Sequence, residues 1–267
     1  MIGQTPCFAG LPALAASKKF GRYGPEAEKA SRTGQYKREE FNDIMDLWQR
    51  MWDSQKATRD LEKMYEEAAK GVEALGMAGI EFGEFAARVA ELSILLPEDE
   101  GVGLIKHNNF RAGIALSAVI NCSSRELFDI DLDGVGIALA ELGYRNVKEV
   151  TFRRGAPLYG TASDFNLGNC MEKGSIDYHG GIFGRVGRKM SGGVIRIHGD
   201  AISSPVGNLP IGAKMTGGEI WVFGNADNLV GPGMRGGEIH FEGDFGGISE
   251  TMISGRIYHK GRLIVDK

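Results

Sequence analysis

A ten-residue motif that occurs five times constrains the fold of this chain more than any other feature. The motif reads Met-x-x-Gly-x-Ile-x-x-x-Gly, and its copies begin at Met171, Met190, Met215, Met234 and Met252. Successive copies begin 19, 25, 19 and 18 residues apart. We interpret the Pro-containing segment from Ser203 to Leu209, which lies in the one long interval, as a loop inserted into one repeat.

Each repeat contains a segment with alternating side-chain character, such as Val194 to His198. This alternation predicts a strand, and a period near 19 residues is too short for a repeat of paired helices. Stacked units of strand and turn form a solenoid in which equivalent residues lie about 4.8 Å apart along the axis. We therefore predict a right-handed, single-stranded parallel β-helix of about five coils over residues 125–267.

The aligned repeats predict which side chains form the core. One position is isoleucine in every copy: Ile176, Ile195, Ile220, Ile239 and Ile257. The position two residues later is mostly apolar: Tyr178, Ile197, Val222, Phe241 and His259. We expect both positions to form stacked columns inside the β-helix, with the methionines at its corners. Glycine at the turns permits positive φ and close passage of one coil over the next.

The N-terminal part of the chain is predicted to be mainly helical. Residues 1–37 lack any periodicity and are interpreted as an extended arm. Apolar residues recur at helical spacing from Arg38 to about Met77, and a second helix is predicted from Glu81 to Leu96. Residues 100–124 carry a strand-like or mixed run that receives no assignment. The expected fold class is α+β, with a helical domain over residues 38–124 before the β-helix.

The segment that leads into the repeats is predicted to contain a strand, a helix and a second strand. The first strand is the run FDIDL from Phe128, the helix spans Val135 to Leu142, and the second strand spans Val147 to Phe152.

Composition limits the partners and the compartment. The chain has 31 basic and 35 acidic residues and no block of like charge, which gives no electrostatic reason to expect nucleic acid or an anionic membrane. No apolar run is long enough to span a bilayer. The three cysteines lack a paired spacing, which fits a reducing compartment, so we expect a cytoplasmic protein with protein or small-molecule partners.

Three patterns that resemble functional motifs are interpreted as structural. The segment Gly231 to Gly236 matches GxGxxG, but strand residues follow it where a dinucleotide-binding unit needs a helix. His179 and His198 occupy equivalent outward positions, where Phe223 in the next coil prevents a three-ligand metal site. The alternating aspartates from Asp129 to Asp133 are typical of a polar strand face. We therefore predict no catalytic, cofactor-binding or metal-binding residue.

Aromatic residues at outward positions predict a contact with another chain. Trp221 and Phe223 fall where an alternating strand should present polar side chains to water, so we expect a partner to bury them. Trp48 and Trp52, four residues apart on the predicted N-terminal helix, are expected in core packing or in an interface with another chain.

The repeat resembles the GXGXG family. Its fuller form, Met-x-Gly-Gly-x-Ile-x-x-x-Gly, stands at Met190, Met215 and Met234, and GVGIALAELGYRNVKEVTFRRG precedes Leu158-Tyr159-Gly160. The family includes the C-terminal β-helix domain of the glutamate synthase large subunit, its free-standing archaeal relatives, and a β-helical scaffold subunit of formylmethanofuran dehydrogenase. The resemblance spans residues 126–267, is closer to the glutamate synthase type, and does not extend to the first 100 residues.

The resemblance implies a non-catalytic scaffold subunit of a glutamate-synthase-like, glutamine-dependent oxidoreductase or amidotransferase complex. Flavin, iron–sulfur or metallopterin (molybdenum or tungsten) centres would then belong to partner subunits, and this chain would bind none. Two alternatives stay open, namely the corresponding scaffold of a formylmethanofuran dehydrogenase-type complex, and a free-standing enzyme with its site between the helical part and the β-helix.

Overall fold

The computed structural model describes residues 60–74, 104–133, 139–155, 165–202 and 210–267. Over these residues the chain forms two α-helices, α1 (Leu61–Ala74) and α2 (Leu104–Cys122), followed by strands. The strands are β1 Leu127–Asp131, β2 Glu149–Arg153, β3 Phe165–Leu167, β4 Ser175–His179, β5 Ile182–Val186, β6 Val194–Ile197, β7 Ala201–Ile202, β8 Glu219–Val222, β9 Ala226–Val230, β10 Arg235–Phe241, β11 Phe245–Ile248, β12 Ser254–His259 and β13 Arg262–Asp266. Neither helix is long and apolar enough to cross a membrane.

The described strands form a parallel β-helix with two sheets. One sheet has the order β1-β2-β4-β6-β8-β10-β12-β13 and the other the order β11-β9-β7-β5-β3. Neighbours pair in parallel except β13, which is antiparallel to β12. The β-helix has about six turns, one more than predicted. Strands β1 and β2 stack in the same sheet ahead of the first Met repeat, so the β-helix extends beyond the five repeats.

The predicted core columns are confirmed by the strand register. The five isoleucines of the repeats pair with one another from β4 to β12 and are fully buried. Phe128 and Val150 extend this column into β1 and β2. The five methionines of the repeats are buried as well. In the second column His259 is half-buried and lies 3.1 Å from the Gly243 carbonyl oxygen through its Nε2.

Successive coils interlock at the corners that precede Met171, Met190 and Met215, and at the equivalent corner before Asn146. At the corner before Met190, Gly187 has a φ of +62°, and a Cβ added to it would lie 2.5 Å from Cδ1 of Ile220 in the next coil. The same relation joins three further glycine–isoleucine pairs: Gly143 with Ile176, Gly168 with Ile195, and Gly212 with Ile239. Glycine is therefore needed both for the backbone conformation and for the space that the isoleucine occupies.

A second close approach explains the glycine that ends each of the first four repeats. A Cβ on Gly199 would lie well inside van der Waals contact of the Gly180 carbonyl oxygen in the coil before. The predicted close passage of one coil over the next is thus confirmed.

The predicted helix from Val135 to Leu142 is wrong over the residues that the structure describes, 139–142. Glu141 has a φ of +61°, and Leu142 forms a bridge with Leu167. The physical reason is that Gly143 and Asn146 occupy the corner positions that glycine and methionine hold in later coils. Stacking against the next coil therefore overrides the local preference for helix.

Helix α2 lies within residues 100–124, a segment whose sequence pattern predicts no particular secondary structure. Residues 112–120 of α2 are all buried, and a helix that is buried on every side shows no amphipathic period. Ser117 fixes the helix to the first corner, because its Oγ donates to the Glu141 carbonyl oxygen at 3.1 Å and accepts the Tyr144 N–H at 3.1 Å. Asn121 adds a bond from its Nδ2 to the Tyr144 carbonyl oxygen at 3.2 Å. The helix is therefore part of the same core as the β-helix.

The helical spacing predicted from Arg38 to Met77 is confirmed over α1. Met64, Ala68 and Val72 form its buried face, and the N–H of Glu62 is capped by the Asp60 carboxylate at 3.0 Å. The predicted arm over residues 1–37, the helix from Glu81 to Leu96, the tryptophans at positions 48 and 52, and the inserted loop over residues 203–209 lie outside the described residues.

The corner interlock predicts energetic coupling between Gly187 and Ile220. Gly187→Ala should cost about 2–4 kcal/mol of unfolding free energy, because it adds a methyl group at positive φ against a filled site. Ile220→Val removes Cδ1 and should cost about 1 kcal/mol alone. In the double variant the added methyl occupies the vacated space, so the loss measured by urea denaturation should be clearly smaller than the sum.

The matched control pairs Gly187→Ala with Ile257→Val, since Ile257 does not contact Gly187. The loss of unfolding free energy in this double variant should equal the sum of the two single losses to within about 0.5 kcal/mol. Additive losses for Gly187 and Ile220 as well would contradict the interlock.

Candidate docking surface

The outward face of the eight-stranded sheet carries a cluster of rings that lie within or directly after five neighbouring strands of the sheet. It comprises six side chains, which we call the aromatic face: His179, His198, Trp221, Phe223, His240 and Tyr258. Phe223 is 42% exposed. The structure thus places Trp221 and Phe223 on the outward side of the sheet, as the alternation predicted.

The rings form two parallel stacks because parallel strands place equivalent residues about 4.8 Å apart. In one stack the His179 and His198 centroids lie 4.3 Å apart, and Phe223 follows at 5.0 Å. In the other stack His240 lies between Trp221 at 3.7 Å and Tyr258 at 4.5 Å, and both ring pairs are parallel within 4°.

Stacking determines which parts of the rings another molecule can contact. The two faces of the His240 ring are covered by Trp221 and Tyr258, and His240 is only 9% exposed. Ring edges therefore point outward. Such a surface does not offer open ring faces on which a sugar or a base could stack, but it suits the side chains of another protein.

Charged side chains surround the apolar centre. Asp177 accepts Arg196 Nη1 at 3.2 Å and lies 3.1 Å from His198 Nε2. The indole N–H of Trp221 donates to Glu219 at 3.1 Å. An apolar centre with a polar rim is the usual composition of a protein interface.

Two histidines of the aromatic face are held towards their neutral form. Burial lowers the pKa of His240, against the opposing charge of nearby Glu238. Burial also lowers the pKa of His179, and the neighbouring His198 and Arg153 act in the same direction. His240 Nε2 is buried without a hydrogen-bond partner among the described residues, although Glu238 Oε2 lies 3.4 Å away.

Sequence reasoning placed the His179–His198 pair correctly but missed the longer stack. The prediction put those two imidazoles at adjacent, equivalent positions, and the structure confirms it. His240 and Tyr258 were missed, although aligning the repeats at the position after each core isoleucine brings them into one column with Trp221.

The glycine and aspartate patterns noted in the sequence take part in strand entry, ion pairing and backbone hydrogen bonding. The glycines of Gly231 to Gly236 lead directly into β10, not into a helix. Asp129 accepts two bonds from Arg153, and this bonding lowers the pKa of the Asp129 carboxyl. Asp133 accepts the Gly155 N–H at 2.5 Å. Among the described residues, no group of three His, Cys, Asp or Glu side chains could hold a metal ion.

A buried carboxyl group at the first corner is a second cluster that the sequence did not reveal. Glu141 is 1% exposed, and its two carboxyl oxygens accept the side-chain amides of Asn166 at 2.5 Å and Asn169 at 2.8 Å. Burial raises the pKa of Glu141, and the two amides and the positive charges of Arg188 and Arg185 oppose that rise. Because both oxygens are engaged and buried, we interpret the cluster as a structural tie between two coils.

No family model, no curated protein and no solved structure matches this chain.

The lowered histidine pKa values predict a loss of stability in mild acid. The unfolded chain takes up protons near pH 6.5, whereas folded His240 resists them, so the unfolding free energy is highest above that pH and falls as the pH decreases through it. His240→Phe keeps a ring between Trp221 and Tyr258 but cannot be protonated. Urea denaturation between pH 7 and pH 5 should show a shallower loss for the variant, and identical slopes would contradict this assignment.

The Glu141 cluster predicts different outcomes for two substitutions. Glu141→Ala leaves the Asn166 and Asn169 amides without an acceptor, at a cost of about 1–3 kcal/mol for each unpaired group. Glu141→Gln should cost much less, because the Asn166 Oδ1, which has no partner among the described residues, can rotate towards the new amide. Since burial raises the pKa of Glu141, the wild-type carboxyl group becomes less favourable to the fold as the pH rises, so the loss for each variant should be smaller at pH 8 than at pH 5, while the advantage of Gln over Ala should not change with pH. Thermal unfolding at pH 5 and pH 8 measures this, and equal losses for the two variants would contradict the proposed bonding.

Proposed function

We propose that this chain is a non-catalytic scaffold subunit of a glutamate-synthase-like, multi-subunit oxidoreductase or amidotransferase complex, and that a partner subunit docks on the aromatic face. The observation that carries the docking proposal is a contiguous set of outward rings in the middle of a sheet whose other outward positions are mostly polar. An exposed apolar patch with a polar rim is typical of a protein interaction site.

The identity of the complex rests on the resemblance of the repeat motif to the GXGXG family. The stacked coils support the interpretation of the glycines as spacing between coils, and not as a phosphate cradle, since the coils leave no room for a Cβ at Gly187 or Gly199. In this proposal the flavin, iron–sulfur or metallopterin groups belong to partner subunits.

The test is purification of the tagged full chain with its native assembly. An amidotransferase together with a flavin-dependent synthase subunit supports the proposal, whereas a metallopterin subunit supports a formylmethanofuran dehydrogenase-type complex instead. A single chain that turns over a substrate on its own would contradict both scaffold functions.

If a partner subunit docks on the aromatic face, Phe223→Ala should weaken capture of that subunit by about tenfold or more. Truncation of a ring at the centre of an interface typically has an effect of this size. Phe223 is suited to this test because its exposed ring can be removed with little loss of core packing. Ile253→Ala is the matched control, since Ile253 is an exposed apolar side chain outside the aromatic face. Equal capture by both variants would contradict docking at this surface.

A further inference from the structure

The aromatic face has a negative rim on one side. Three glutamates act on the His240 imidazole through their charges: Glu238 and Glu242 of the same coil, and Glu219 of the coil before. Of these three, only Glu238 forms an ion pair with a basic side chain of the described residues, that of Arg256. Glu242 is exposed and has no ion pair with a described residue, and Glu219 bonds the neutral indole of Trp221.

A buried polar atom in the same place indicates that the surface is incomplete in the isolated chain. His240 is nine-tenths buried, and its Nε2 has no hydrogen bond with a described residue. A buried polar group without a partner is costly, and a docking molecule that supplies one removes that cost. The atom lies 3.4 Å from an oxygen of the Glu238 carboxylate, so the place to be filled is polar.

We propose that the docking segment of the partner subunit is basic and that it presents arginine side chains to the Trp221–His240–Tyr258 stack. This inference rests on the proposed docking function and names the chemistry of the partner. A guanidinium pairs with carboxylates through two N–H groups, and the alkyl stem of arginine packs against apolar ring edges. Glu219 and Glu242 provide carboxylates beside this stack that accept the guanidinium N–H groups, and a backbone carbonyl of the same segment provides an acceptor for the His240 imidazole N–H.

Charge complementarity also distinguishes this partner from other occupants. A phosphate backbone or an acidic protein surface would be repelled by Glu219 and Glu242, which form no ion pair with a described residue. Flat uncharged ligands would find the faces of the His240 ring already covered. A basic segment is favoured on both grounds.

The probe is tri-arginine peptide, titrated into the full chain while the indole N–H resonance of Trp221 is followed by NMR. Trp221→Phe assigns that resonance, and tri-glutamate peptide is the charge-reversed control. Tri-arginine should shift the resonance in a saturable manner that weakens at higher ionic strength, and tri-glutamate should not.

Variants locate the contact. Glu242→Gln should weaken the tri-arginine effect by up to about fivefold, the size expected for one exposed ion pair. Glu149→Gln is the matched control, because Glu149 is an exposed outward glutamate on β2 of the same sheet, away from the aromatic face, and it should leave the effect unchanged.

Absence of a tri-arginine shift, or an equal shift with tri-glutamate, would overturn the basic partner. So would equal effects of the Glu242 and Glu149 variants. The capture experiment with Phe223→Ala is independent of the peptide. Loss of capture without peptide binding would therefore overturn only the chemistry proposed for the partner, whereas unchanged capture would overturn the docking function itself.

Discussion

The structure depends on the contact between a corner glycine and the isoleucine Cδ1 of the next coil. In four successive pairs, Gly143–Ile176 to Gly212–Ile239, the isoleucine methyl fills the space that a Cβ would occupy. Met171, Met190 and Met215, which follow three of these four corners, fill the adjoining core. Because the glycine and the isoleucine are closely packed, neither can move relative to the other. This contact therefore sets the rotation and spacing of each coil relative to the next. Most residues that recur in the motif therefore serve the interior.

A fixed register between coils has a consequence on the outside of the sheet. The outward positions next to the isoleucine column also line up, so aromatic residues placed there stack instead of lying apart. His240 is held between two rings with its Nε2 unbonded among the described residues, beside three carboxylates. A surface with that composition is preorganised, because the solenoid has already ordered the side chains that a partner would contact.

The sequence predicts the part of the fold that repeats, since five aligned copies identify the inward columns, the turns and the outward Trp221. Features that do not repeat were missed for physical reasons. The helix α2 is buried on every side over residues 112–120 and so lacks an amphipathic period. The tie from Glu141 to Asn166 joins residues far apart in sequence, which no local pattern reveals. The stack at His240 was predictable in principle, because it occupies the column of Trp221 one coil later.

Hydroxyl-radical footprinting of the full chain, alone and within its native assembly, tests most directly whether the aromatic face is a docking surface. Trp221, Phe223 and Tyr258 should be oxidised in the isolated chain and protected in the assembly, while exposed Ile253 reacts in both. Equal oxidation of Trp221 and Phe223 in the two samples would show that the aromatic face stays exposed to water and would contradict docking there.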